Sequence, residues 1–258
     1  MNQWNDIAII APAHDIDIST VPSLRDQVDG LIHAGTRRII VNCQDVEFID
    51  STGLAFLVSR ARTLARRGGM LSLANVSPEV EHFLEIARLV DVLHVSPAQK
   101  KPVPLLAPGE RPLWIRRLAI RRGVENLEHY RHMVAEMLAR SPLSPEARFD
   151  MTLAASEALS NAYDHAYNAA GCTMIIKAYE DRVVIEVRDR GRGFELGPDE
   201  DPPAPSETRG RGIMLMRMLV DSVEIRRRTD MRGTLVRLVK LVPQGAAAGG
   251  PGAVPAGA

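Results

Sequence analysis

Glu157, Asn161 and His165 recur every four residues in SEALSNAYDHAY, residues 156–167, and so share one stripe of any helix that forms there. A carboxylate at such a position can take a proton from a hydroxyl. An amide oxygen is a hard ligand suited to a hydrated divalent cation. Three glycine-bearing motifs follow: DRGRGF at 189–194, RGRGIMLM at 209–216 and GT at 233–234. Glycines at a strand end or helix start admit a ligand close to the backbone, and a helix N-terminus offers N–H groups to phosphate. Each motif alone is a weak signal, but in this order they converge on a bound nucleotide. A separate stretch, FIDSTGL at 48–54, sets Ser51 where an apolar run meets a helix N-terminus. Two readings stand open there. Asp50 or Ser51 is an N-cap contributing about 1 kcal/mol; alternatively, the Ser51 hydroxyl accepts a phosphate, whose charge of about −1.5 to −2 would remake that surface.

The elements that must position these groups fall into two sets. In the first, IAIIAPA (7–13), RRIIVNC (37–43) and MLSLANV (70–76) read as buried strands. Between them, 20–35 places Val21, Leu24, Val28 and Leu31/Ile32 on one helical face and stops at Gly35. A second helix, 51–69, carries Leu54, Leu57/Val58, Ala61 and Leu64 and ends at a Gly pair after a basic last turn. A third, 77–90, opens with Ser77 as N-cap and Pro78 at the first helical position. This predicts a small α/β domain with about four strands. In the second set, 113–122 reads as a strand, 125–140 and 145–167 as helices, 172–179 and 182–189 as a hairpin turning on Glu180 and Asp181, 212–221 as a helix, and 222–228 and 234–240 as a closing hairpin. Antiparallel pairs with helices on one face make an α/β sandwich. Ala154, Ala155, Ala158, Leu159 and Ala162 give helix 145–167 a close-packing side, leaving Glu157 and Asn161 on another.

FIDSTGL, with HDIDISTVPSL upstream and SPEVEHFLEIARL downstream, resembles a STAS domain of the anti-sigma-factor antagonist type over residues 5–97. That resemblance implies that Ser51 is the phosphoacceptor. The set formed by the Glu157/Asn161 helix and the three glycine motifs resembles the GHKL (Bergerat) ATPase domain, in the serine-kinase branch that acts as anti-sigma factors, over about 112–242. It implies ATP and Mg²⁺ as cofactors, Glu157 as general base and Asn161 as the metal ligand. It further implies that Asp189 accepts from the adenine amino group, that Gly191 and Gly193 give room around the base, that Gly210 and Gly212 admit the phosphates, and that Thr234 adds a hydroxyl near adenine. Residues 195–209 correspond to a lid over the nucleotide, His165 to a position that packs or supports the site from behind rather than doing chemistry, and Arg131 to a position that touches protein partners. The family also implies a homodimer through the kinase domain, with a sigma factor, an antagonist protein, or the chain's own STAS domain, in cis or in a dimer, as partner. A sensor histidine kinase is disfavoured, because 96–125 has no room for a helical hairpin bearing a phosphoacceptor His. A nucleotide-binding interaction module that exchanges partners without transferring phosphate remains the alternative.

Composition fits this organisation. The 258 residues are 45% hydrophobic, enough for two modest cores. Thirty-two basic and 32 acidic residues cancel, so no global field recruits nucleic acid or an anionic membrane surface. The Arg runs at 116–117, 121–122 and 226–228 read as solvated faces. Cys43 and Cys172 lack zinc or disulfide spacing, and no apolar run approaches the ~20 residues needed to span a bilayer, as expected of a cytoplasmic protein. The expected domains are 1–97, a Pro-rich linker at 98–111, 112–242, and a Gly/Ala/Pro tail at 243–258 expected to be disordered. At ~3.1 Å per residue, some 15 linker residues would reach roughly 45 Å, far enough for Ser51 to dock in cis.

Overall fold

The computed structural model describes residues 7–100, 102–120, 127–165, 171–197 and 209–242. The tail, most of the expected lid and the turn before the first helix of the second set lie outside these residues. The chain forms two compact units, Met1–Lys101 and Pro102–Ala258.

The first unit alternates strand and helix: β1 (Ile7–Ile10), α1 (Val21–His33), β2 (Arg38–Asn42), α2 (Ser51–Arg66), β3 (Met70–Ala74) and α3 (Pro78–Ile86). A strand that returns through a helix re-enters the sheet parallel to its predecessor, and the order β1-β2-β3 is parallel throughout, with Ile9 opposite Ile40 and Ile40 opposite Ser72. Val21, Leu24, Val28 and Ile32 of α1 and Phe56, Leu57, Ala61 and Leu64 of α2 close the core over Leu71 and Leu73. Three strands, rather than about four, are present among the described residues. The pairing is extended by isolated bridges Ile16–Ile49 and Val76–Pro97. α3 stops four residues before its expected end. Arg88 takes a left-handed conformation at φ 56°, and the Arg88 and Leu89 amides donate back to the Glu85 and Leu84 carbonyls, so the ladder closes on itself.

The second unit runs β4 (Trp114–Ile120), α4 (Leu127–Leu138), α5 (Pro145–His165), β5 (Cys172–Ala178), β6 (Arg182–Arg188), α6 (Arg209–Leu219), β7 (Ser222–Arg227) and β8 (Thr234–Leu241). Its five strands are antiparallel in the order β4-β5-β6-β8-β7. The mixed α/β architecture therefore matches the expectation from the sequence: a small parallel α/β domain followed by an antiparallel sheet carrying helices. α5 lies against β5, β6 and β8 and packs on both α4 and α6, its Ala154, Ala155, Ala158 and Ala162 buried where the small side chains allow close approach.

The segment expected as a free linker is held at both ends. Ala98 N donates to the Val76 carbonyl in the first unit. In the second, Val103 and Leu106 pack against Tyr179, Val184 and Val239, and the Arg182 guanidinium donates to the Pro104 carbonyl. Prolines interrupt the period of this segment and hide two ordinary apolar anchors, Val103 and Leu106, from the sequence.

Candidate functional site

β6 ends at Arg188, and Asp189 begins the turn that follows. The Asp189 side chain is buried, and its Oδ1 accepts from Gly191 N at 2.7 Å and from Thr234 N at 2.9 Å. Both bonds fall on one oxygen, and Oδ2 accepts from no described residue. A buried carboxylate with one oxygen committed to backbone and the other available is built to receive a donor. Thr234 opens β8 at the far side of this turn, so DRGRGF and GT, 45 residues apart, form one wall.

That wall is fixed from behind by Gly233 and Arg228. Gly233 adopts φ 141°, and a Cβ there would stand 2.2 Å from the Asp189 carbonyl oxygen, so only glycine fits this crossing. Gly193 passes along the Gly233 carbonyl. Arg228 Nη1 donates to the Asp189 carbonyl at 3.0 Å, while its Nε and Nη2 hold Asp230 at 2.9 and 2.6 Å. This pairing holds the Asp230 carboxyl down at about 2. Arg228 was expected in a solvated run, but its side chain is only 9% exposed. Sequence spacing carried no signal for this, since its partner is 39 residues away.

The second wall is helical. Gly210 and Gly212 both lie in the first turn of α6, which starts at Arg209, three residues earlier than expected. A Cβ on Gly212 would sit 2.5 Å from Glu157 Oε2, 3.5 Å from Asn161 Nδ2 and 3.6 Å from Asn161 Oδ1. The N-terminus of α6 therefore abuts the Glu157/Asn161 stripe of α5, bringing two motifs 50 residues apart into contact. Arg131 lies half-buried on α4, outside this cluster. His165 ends α5, and its side chain falls outside the described residues, as does 198–208 of the expected lid.

The residues fit a magnesium nucleotide. Gly212 leaves the space a side chain would fill, next to a carboxylate and an amide and at a helix N-terminus where phosphate oxygens find N–H donors. No cluster of three or more His, Cys, Asp or Glu able to hold a metal occurs among the described residues. A cation held by one amide oxygen, waters and phosphate oxygens is the arrangement Mg²⁺ adopts at nucleotide sites.

In the first unit Asp50, not Ser51, caps α2. Its Oδ1 accepts from Gly53 N at 2.7 Å and its Oδ2 from Ile18 N at 3.0 Å. The Ser51 hydroxyl takes no part in the cap and is exposed at the first helical position. A shallow groove of about 550 Å³ leads from it along α2 past Leu54, Val58 and Arg62 to Leu89.

Comparison with known proteins agrees with this division. Residues 1–101 match the family described as STAS domain, and residues 120–240 the family described as histidine kinase-like ATPase domain. The anti-sigma-B factor antagonist of Staphylococcus aureus is 34% identical over 82 residues, covering 32% of this chain and 76% of that protein. The serine-protein kinase RsbW of Oceanobacillus iheyensis is 31% identical over 117 residues, covering 41% of this chain and 72% of that protein. A solved structure of the RsbU and RsbW domains of a Mycobacterium tuberculosis protein aligns at 21% identity and TM-score 0.38, covering 50% of this chain and 33% of its own. No described helix is long and apolar enough to cross a membrane. The chain belongs to the STAS family of anti-sigma factor antagonists through its N-terminal unit and to the histidine kinase-like ATPase family of RsbW through its C-terminal unit.

Proposed function

We propose that the protein is a partner-switching regulator in which an ATP-dependent serine protein kinase and anti-sigma factor is fused to an antagonist domain, with Ser51 as phosphoacceptor. The observation that supports this reading is the approach of Gly212 to Glu157 and Asn161, which brings a carboxylate and a side-chain amide to the N-terminus of α6. A module that only bound nucleotide would have no use for the carboxylate.

In this reading ATP supplies the phosphoryl group, and Asn161 would hold Mg²⁺, which would offset the charge on the phosphates. Asp189 accepts the adenine amino hydrogen through Oδ2, Gly191 and Gly193 leave room beside the base, and Thr234 contributes its hydroxyl. Gly210 and Gly212 open the first turn of α6 to the phosphates. Glu157 takes the hydroxyl proton as Ser51 Oγ bonds to the transferred phosphorus, and the bond to the leaving phosphate oxygen breaks to give ADP. Phosphoryl transfer asks the protein mainly for positioning and charge neutralisation, which this set provides. Arg131 contacts a sigma factor or antagonist, and the kinase domain pairs as a homodimer in the cytoplasm. Phosphorylation of Ser51 places about two negative charges on an exposed helix start and releases the bound partner.

The test separates binding from chemistry. Glu157→Ala should keep ATP affinity, read with a fluorescent nucleotide, and lose phosphate transfer by at least about 10²-fold. Loss of binding and transfer together would assign Glu157 to structure and defeat the assignment of a base.

A further inference from the structure

Two groups of arginines stand out among the described residues at the nucleotide end of the C-terminal sheet. Arg188, Arg226, Arg228 and Arg237 are each paired with Glu186, Glu224 or Asp230. The side chains of Arg192, Arg227 and Arg232 make no ion pair or hydrogen bond among the described residues, and all three are exposed. They line one hollow of about 350 Å³ on the outer side of the Asp189 turn, floored by Gly193 and Gly233. Its one carboxylate, Asp230, is already committed to Arg228. Three unpartnered guanidinium groups converging on one concavity form a collar that selects a carboxylate-bearing surface.

Such a surface is present in the first unit. The loops flanking Ser51 carry Asp15, Asp17, Asp45, Glu47 and Asp50, and none of the five makes an ion pair among the described residues. Backbone bonds tie the loops together at the start of α2: Asp15 Oδ1 accepts from Glu47 N and Phe48 N, each at 2.9 Å, and Asp50 accepts from Ile18 N. Asp45 and Glu47 are exposed with no hydrogen bond to their carboxylates, and Phe48, 57% exposed, stands beside them. Unpaired carboxylates thus gather on the loops before Ser51 and unpaired guanidinium groups at the nucleotide turn, while Arg62 and Arg66 line the groove that runs from Ser51 along α2.

We propose that Arg192, Arg227 and Arg232 form a docking collar for the acidic rim of Ser51 on a second copy of this chain, and so determine which serine the kinase reads. The inference rests on the reading of Ser51 as acceptor for its chemical purpose, but the docking itself is decided by charge. Complementary charges of this kind govern association rate and partner choice, and their effect fades with salt.

The experiment is a charge exchange in full-length chains. One variant carries Arg192→Glu, Arg227→Glu and Arg232→Glu; the other carries Asp45→Lys and Glu47→Lys. Self-association beyond the kinase-domain dimer is followed by sedimentation at low salt and Ser51 phosphorylation by intact mass, with thermal unfolding and ATP affinity confirming that both variants fold. In each variant alone the collar faces a rim of its own sign, so self-association should weaken by at least about tenfold. Mixing the two restores opposite signs at both contacts, and association should return to the wild-type level. A wild-type chain that forms nothing beyond the kinase-domain dimer, a variant that forms that further association as wild type does, or a folded mixture that fails to recover it would each overturn the docking collar. If association follows the charge exchange while no phosphate appears on Ser51 in any pair, the collar stands and the kinase reading fails.

Discussion

Gly212→Ala tests how the two walls of the site are set against each other. The added methyl would meet Glu157 Oε2 at 2.5 Å, against about 3.4 Å for ordinary contact, so the carboxylate must retreat by about 0.9 Å. The nearest atom is the far end of a flexible side chain rather than backbone, and the helix adapts without unfolding. Alanine in place of glycine in a helical turn contributes up to about 1 kcal/mol of backbone entropy, so the melting temperature should hold or rise slightly. Catalysis should respond in the opposite direction. Displacing a catalytic group by about 1 Å costs on the order of 10²-fold in rate, equivalent to about 2.7 kcal/mol of transition-state stabilisation. The assay is initial phosphate incorporation at saturating Mg-ATP, with thermal unfolding alongside. A fully active, fully folded Gly212→Ala chain would refute the reasoning, because it would mean that the position of Glu157 relative to α6 has no bearing on transfer.

Other consequences are direct. Asp189→Asn keeps an oxygen for Gly191 N and Thr234 N but loses the carboxylate, so ATP affinity measured by calorimetry should fall by about one to two orders of magnitude with little change in melting temperature; unchanged affinity would remove Asp189 from adenine recognition. Gly233→Ala drives a methyl to 2.2 Å from a backbone oxygen at φ 141°, and should destabilise the C-terminal unit by more than about 2 kcal/mol in denaturant titrations, whereas a neutral result would contradict the crossing described. Arg228 depresses the Asp230 carboxyl from 3.8 to about 2, so its stabilising effect is complete above about pH 4 and is lost as pH falls through 2. The melting-temperature gap between wild type and Asp230→Asn should therefore be present at pH 6 and shrink toward zero between pH 4 and 2; a gap that widens on acidification would reverse the sign. Burial pushes the Cys43 thiol up to about 12, and burial with the nearby Asp189 charge pushes Cys172 up to about 11. A disulfide reagent at pH 8 should titrate neither thiol in the native protein and both in denaturant; rapid native labelling would show the burial to be wrong.

What was legible in the sequence was what is local. Period-3.6 stripes such as Val21, Leu24, Val28 and Ile32 located helices because burial of one face repeats with the helical turn. The buried runs of β5 and β6 announced strands, and Glu180–Asp181 announced the turn between them. The order of the nucleotide motifs survived as well, since each sits at the end of a recognisable element. What was not legible depends on atoms far apart in the chain. Arg228 read as one of three surface arginines, and only the fold brings its guanidinium under the Asp189 carbonyl. Arg88 ends α3 by adopting a left-handed conformation that an arginine gives no sign of. Val103 and Leu106 became anchors because Tyr179, Val184 and Val239 leave a place for them, a fact held by the sheet and not by the segment itself. The choice between Asp50 and Ser51 as cap was likewise settled by geometry, through the bond from Gly53 N, which leaves the serine hydroxyl outside the cap.

Movement of phosphate from ATP to Ser51 is the step on which the proposed switch depends. The most direct measurement is phosphosite mapping by mass spectrometry after the purified chain is incubated with Mg-ATP, with Ser51→Ala and Glu157→Ala treated in parallel. A kinase acting on Ser51 puts one phosphate on Ser51 in the wild type, none on Ser51→Ala and none on Glu157→Ala. A mixture of the two variants should regain phosphate on the Glu157→Ala copy alone. ATP bound with no phosphate on Ser51 in any of these would rule out that kinase and leave a nucleotide-dependent binding module in its place.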